Sequence, residues 1–122
     1  MEEPVILDPA VTSGLRNLTA PGEPDVLAEV LKLFLQEVPP RIERLRNAWQ
    51  GGNIQEVHRA AHSLKGSAGN IGARRLYEVS RQLDDISKSG DLAAAAPLVD
   101  ALGVEFGKVE IAIRRLLGES NT

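Results

Sequence analysis

The 122-residue chain is expected to be all-α: an up-and-down antiparallel four-helix bundle with two additional N-terminal helices. Three observations predict this. Apolar residues recur at intervals of three and four along most of the chain, and no stretch alternates apolar with polar residues as a half-buried strand does. Aromatic residues make up 3% of the chain against 43% hydrophobic residues overall, so the core must be aliphatic, built from Leu, Val, Ile and Ala. The breaks between periodic stretches are short, as between antiparallel neighbours.

Taken in order, residues 1–6 read as a loose lead-in and residues 7–118 as one domain. Asp8-Pro9 opens a short first helix, an N-cap acid followed by proline at the first helical position. Val11, Leu15 and Leu18 then recur at helical spacing, and Thr19 to Glu23 form a turn cluster. Pro24 begins a second helix that buries Val26, Leu27, Val30, Leu31 and Phe34. Pro39-Pro40 is expected to end or sharply kink it, because proline removes a donor and restricts the preceding residue.

A third helix carries Ile42, Leu45 and Trp49 inward and stops at Gly51-Gly52. Asn53 caps a fourth, which ends near Asn70 and Gly72. The fifth runs from about Ala73 to Ser89 with Leu76, Val79, Leu83 and Ile86 as its stripe, and Gly90 stands at its C-cap. Asp91 caps a sixth, with Leu92, Ala95, Leu98, Leu102, Val109, Ile113 and Leu116 as apolar positions, ended by Gly118. The last four helices would form the bundle, and the first two would cap one end.

Composition removes several functional classes. With no cysteine, there is neither a disulfide framework nor a thiolate nucleophile or metal ligand. No apolar run reaches the length of a membrane span, and the N-terminus lacks a basic-then-apolar signal pattern. A cytoplasmic protein, or a soluble piece of a larger one, is expected, and a monomer. The net charge of −3 and the dispersed basic residues argue against nucleic acid as the main partner.

The informative stretch runs from Ala60 to Gly72. On a helix, Ile54, Val57, Ala61, Leu64, Ala68 and Ile71 gather in one arc that must look inward. His58, His62, Lys65, Gly66 and Gly69 gather in another, with His62 near its centre. A glycine within a helix costs about 1 kcal/mol relative to alanine, and the fold gains nothing obvious from Gly66 or Gly69. Missing side chains beside an imidazole make sense where another macromolecule must come very close.

His62-Ser63-Leu64-Lys65-Gly66-Ser67-Ala68, followed by Ile71-Gly72-Ala73, resembles the signature of histidine-containing phosphotransfer (HPt) domains of multistep phosphorelays. The resemblance extends from Ile6-Leu7-Asp8-Pro9 to about Leu117. It implies that His62 accepts a phosphoryl group from an aspartyl phosphate of a response-regulator receiver domain and passes it to another receiver aspartate. It further implies transfer through the outer ring nitrogen, with Mg²⁺ brought by the receiver and no cofactor bound by this chain. A hybrid sensor histidine kinase is a further expected partner, in cis or in trans.

A neutral imidazole, with an unperturbed pKa of about 6.5, is a competent nucleophile near physiological pH. Attack on an acyl phosphate also needs an anchored ring and cationic help for the phosphoryl oxygens. Lys65, one turn along the same face, can supply that charge. Taken alone, His62 and Lys65 could be plain solvated residues; the register of Gly66, Ser67 and Gly69 argues otherwise. Gly66 would leave room for a docked receiver. Gly69 could do the same or ease the helix terminus, Gly72 serves the turn, and Ser67 reads as a small packing or bridging residue.

His58 lies one turn before His62. It is an ordinary exposed histidine, a contact for the docked partner, or a second proton-handling group. Paired metal ligation at i and i+4 lacks further His or Cys, so no metal site is expected. Counting along the family pattern, the polar residue that orients the active ring falls near Asp84, where a carboxylate would fix the tautomer. Its plain alternative is a solvated acidic pair with Asp85, and Gln82 and Lys88 are weaker candidates.

No ATP-binding glycine-rich loop or kinase motif set is present, so the expected role is a carrier and not an autonomous enzyme. Three rivals stand beside it: the phosphoacceptor domain of a chemotaxis-type histidine kinase, a non-phosphorylated adaptor that docks on receivers, and a small metal-binding bundle.

Overall fold

A computed structural model describes residues 5–118. Of the expected lead-in, residues 1–4 lie outside the described residues. Five α-helices account for the described chain: α1 (Pro9–Arg16), α2 (Val26–Gln50), α3 (Ile54–Asn70), α4 (Arg74–Ser89) and α5 (Leu92–Leu116). Helices α2 to α5 pack each against its neighbour in sequence, and α5 also contacts α2, so the four close a ring around one aliphatic core. α1 packs against α2.

The count is five and not six because α2 continues through Pro39 and Pro40. Both prolines are exposed, while Leu31, Phe34, Val38, Ile42 and Leu45 form an unbroken buried stripe on the other side. The missing N–H groups therefore free carbonyls on the outer face, and burial of Val38 and Ile42 holds the helix together across the step. Arg41 reinforces it: one guanidinium nitrogen lies 3.3 Å from Glu37 Oε2, and the other donates to Ser67 Oγ of α3 at 3.0 Å. Only one separate helix, α1, thus precedes the bundle helices. Pro24 lies one residue before the cap of α2, which is Asp25, whose side chain accepts from Leu27 N–H.

Elsewhere the punctuation acts as the residue types require. Asp8 accepts from Ala10 N–H, Asn53 from Glu56 N–H and Asp91 from Ala94 N–H, the side-chain satisfaction of free helix donors that such caps provide. Gly90 ends α4 in the left-handed conformation (φ 81°). Gly72, between α3 and α4, has φ 73°, its carbonyl accepts from Asp8 N–H at 2.9 Å, and a Cβ there would stand 2.9 Å from the Cβ atoms of Asp8 and Val11. Arg74 adds an ion pair to Asp8; the Arg74 hydrogen bond, then that from Ala10 N–H, and last the Arg74 charge hold the Asp8 carboxyl below its ordinary pKa. These contacts tie the start of α1 to the α3–α4 turn.

The buried stripe of α4 departs from expectation. Leu76, Ser80, Leu83, Asp84 and Ser87 are buried, while Val79 and Ile86 are half-buried. Three polar residues thus occupy an inward face shared with α3. On α5, Leu116 is exposed where an apolar contact is expected.

Candidate functional site

The site forms where the outward arc of α3 meets the polar end of the α4 stripe. Val57, Ala60, Ala61, Leu64 and Ala68 of α3 are buried, which turns the opposite arc outward. His62 is 68% exposed at its side chain, and at Gly66, one turn further, a Cβ would meet nothing within 4 Å beyond its chain neighbours and the backbone of its own helix. Gly69 is also exposed, with the Tyr77 ring 3.5 Å from its notional Cβ. Ser67 points elsewhere and bridges to Arg41 of α2.

At the centre lies Asp84, whose side chain is 1% exposed. Its Oδ2 faces two groups of α3: Lys65 Nζ at 3.1 Å and His62 Nδ1 at 3.5 Å. Lys88 Nζ stands 4.0 Å from the same oxygen. Its Oδ1 faces His58 Nδ1 at 2.8 Å, but the ring N–H is not aligned with it, so this buried oxygen accepts no well-formed hydrogen bond. His58 Nδ1 instead lines up with Ser87 Oγ at 3.2 Å, and Ser87 donates its own proton to the Asp84 carbonyl at 2.7 Å.

This electrostatic balance keeps Asp84 ionised. Burial pushes its pKa upward, but hydrogen bonds from Lys65 and then His62, with the charges of Lys65 and Lys88, outweigh that and leave it below the ordinary carboxylate value. A carboxylate oxygen only accepts, so the His62 contact requires the ring proton on Nδ1. Nε2 is then the nitrogen with a free lone pair, on the side away from Asp84.

The structure therefore brings together His62, Lys65, Asp84 and His58, with Gly66 and Gly69 beside them on α3. Asp84 is not half of a solvated acidic pair: Asp85 is exposed and bonded to Arg81 on the outer face. His58 is not an ordinary exposed histidine either, since its side chain is 37% exposed and its ring nitrogen is engaged with α4. Lys65, expected to reach outward, is turned toward Asp84 and is 26% exposed. Ser87 escaped the sequence reading. Its signal was its place three residues after Asp84, at helical spacing from Ser80 along one face. Among the described residues, no group of three or more His, Cys, Asp or Glu side chains is placed to hold a metal ion. Among the described residues, no helix is long and apolar enough to cross a membrane.

The chain is also similar to known proteins. Residues 29–119 match the family model described as Hpt domain. The chain is 34% identical over 70 residues to Histidine-containing phosphotransfer protein 5 of Arabidopsis thaliana, a match covering 55% of this chain and 45% of that protein. It is 23% identical over 95 residues to Histidine-containing phosphotransfer protein 2 of the same plant, covering 75% and 61% respectively. The chain thus spans about half the length of these curated relatives.

Among solved structures it is similar to histidine-containing phosphotransfer protein B (HptB) from Pseudomonas aeruginosa PAO1, with a TM-score of 0.83, 28% identity, and coverage of 90% of this chain and 92% of that one. It shares the fold of the HPT domain of a sensor hybrid histidine kinase from Shewanella, with a TM-score of 0.78, 19% identity, and coverage of 96% and 97%. With the family model taking in four of the five helices and the histidine-centred arc of α3, this chain belongs to the Hpt domain family.

Proposed function

We propose that this chain is a phosphorelay carrier that receives a phosphoryl group on His62 from a receiver-domain aspartyl phosphate and returns it to another receiver aspartate. The observation that carries the reading is the division of the His62 ring: Nδ1 faces buried, ionised Asp84, while the side chain is 68% exposed. The Nε2 lone pair attacks phosphorus, the N–P bond forms as the acyl-oxygen–P bond breaks, and the receiver carboxylate leaves with the bonding pair. The Nδ1 proton stays in place throughout, and Asp84 offsets the positive charge that develops on the ring. Transfer onward reverses these changes on a second carboxylate.

Lys65 supplies the mobile charge. Paired with Oδ2 in the resting protein, its ammonium can turn toward the phosphoryl oxygens once they arrive on the neighbouring turn. Gly66 and Gly69 leave the surface beside His62 low enough for a receiver to bring its aspartate within reach. Any Mg²⁺ the transfer needs is assigned to the receiver. The scaffold is read as an antiparallel up-and-down bundle of α2–α5, in a cytoplasmic monomer that meets receivers and a hybrid sensor kinase without itself using ATP.

The test is incubation with a phosphorylated receiver. An acid-labile, alkali-stable label on this chain is expected. A stoichiometric complex without label would assign the docking-adaptor role instead.

A further inference from the structure

The Oδ1 atom of Asp84 is the unusual feature of this site. It is buried and belongs to an ionised carboxylate, yet no donor is aligned with it. An anionic oxygen in that position carries the desolvation cost of burial, so a donor within reach has a strong effect on how the carboxylate sits. His58 Nδ1, 2.8 Å away, is the nearby polar atom, and its N–H has two acceptors to choose between: Asp84 Oδ1 and Ser87 Oγ. Because Ser87 Oγ is itself bonded to the Asp84 carbonyl, both choices hold His58 against the same residue of α4. The two imidazoles are close neighbours on α3, with ring centroids 6.3 Å apart, and a single carboxylate stands between their Nδ1 atoms.

We infer that His58 is a positioning residue for phosphoryl transfer at His62, acting through Asp84: its Nδ1, bonded to Ser87 Oγ and standing against Oδ1, fixes how the carboxylate sits so that Oδ2 is presented to His62 Nδ1 and Lys65. The inference rests on the reading of His62 as phosphoacceptor and deepens it. His58 need not touch the phosphoryl group, and its role differs from that of a docking contact. The charged groups around it are Asp84 and Lys88 from α4 and Arg59 on α3, with Lys65 beyond the carboxylate. The recess beside His58 is completed by Ile54, Gln55 and Ser87.

The test compares the full chain with its His58→Phe and His58→Asn variants, all with ¹⁵N-labelled histidine rings. Phe removes the donor, whereas the Asn amide nitrogen restores an uncharged donor near the Nδ1 position. Two quantities are read: the tautomer of His62 from long-range ¹⁵N–¹H spectra, and the rate of phosphoryl uptake from a phosphorylated receiver. Wild type should hold His62 mainly as the Nδ1–H form. His58→Phe should move it toward a mixture and slow uptake about fivefold, below the tenfold or more that the loss of a direct partner costs a metal-bound imidazole. His58→Asn should restore both.

An unchanged His62 tautomer in His58→Phe would overturn the inference whatever the rate. So would equal slowing by Phe and Asn, which would make His58 a contact of the docked receiver. If wild type takes up no phosphoryl group at all, the carrier reading fails separately, while the tautomer still decides whether His58 positions the ring.

Discussion

Lys65 Nζ lies 3.1 Å from Asp84 Oδ2, nearer to that oxygen than His62 Nδ1 at 3.5 Å. In the resting protein, the Lys65 cation and the ring proposed as nucleophile therefore share one buried acceptor. Any gain of negative charge on His62 gives Lys65 a second place to go. Its departure would leave Oδ2 to His62, with Lys88 more distant at 4.0 Å, at the moment the ring carries positive charge.

Asp84→Asn tests the carboxylate. The amide keeps the shape but loses the charge, so phosphoryl uptake should fall about 10- to 100-fold, by analogy with the carboxylates that orient metal-bound imidazoles. Stability has a predicted pH signature as well. The Asp84 pKa is lowered in the folded chain, whereas an unfolded Asp titrates near 3.9. Its contribution is thus present above about pH 4 and is lost as pH falls through the lower folded value. Urea unfolding across that range should show the wild-type-minus-variant difference shrinking toward acid. Asp8 and Glu78, also lowered, are common to both chains and cancel.

Gly66→Gln separates docking from folding. The added side chain meets open space and replaces the poorest ordinary helix former with a good one, so stability should rise by about 0.5–1 kcal/mol. Uptake from a phosphorylated receiver should nevertheless slow at least tenfold as the closest approach to His62 is obstructed. Thermal melts and transfer kinetics on the same sample decide it, and a normal rate would remove this explanation of the glycine.

Gly72→Ala should act in the opposite sense. Its positive φ strains any other L-residue by roughly 1–2 kcal/mol, and the new methyl would collide with Asp8 and Val11. A destabilisation of about 2 kcal/mol or more is expected. Hydrogen exchange should show α1 losing protection before the four bundle helices.

Pro39→Ala and Pro40→Ala each restore a backbone donor inside α2. Since proline in a helix interior costs up to about 3 kcal/mol relative to alanine and both rings are exposed, each change should stabilise the chain by about 1–3 kcal/mol in urea unfolding. A loss of stability would mean that the prolines hold a backbone shape the bundle needs.

Much of this architecture was legible because it follows from local rules. The caps Asp8, Asn53 and Asp91 satisfy helix donors, Gly90 ends a helix, and the inward arc of α3 is buried as its spacing requires. The break expected at Pro39-Pro40 failed because it weighs a local cost of a few kcal/mol without the burial of Val38 and Ile42 on the opposite face. The α4 stripe was misread for a related reason. Apolar periodicity cannot register Ser80, Asp84 and Ser87 as buried, since what makes their burial tolerable is supplied by α3 and by carbonyls of their own helix. The engagement of His58 with Asp84 is likewise a contact between helices, and no spacing within α3 encodes it.

The most direct measurement of the central claim is peptide mapping of the phosphoryl label in wild type and in His62→Gln, after exposure to a phosphorylated receiver and with helix content checked by circular dichroism. The account predicts label on the peptide containing His62 in wild type and none in the variant, with helix content unchanged. Label persisting in a folded His62→Gln chain would contradict it and move the acceptor to His58.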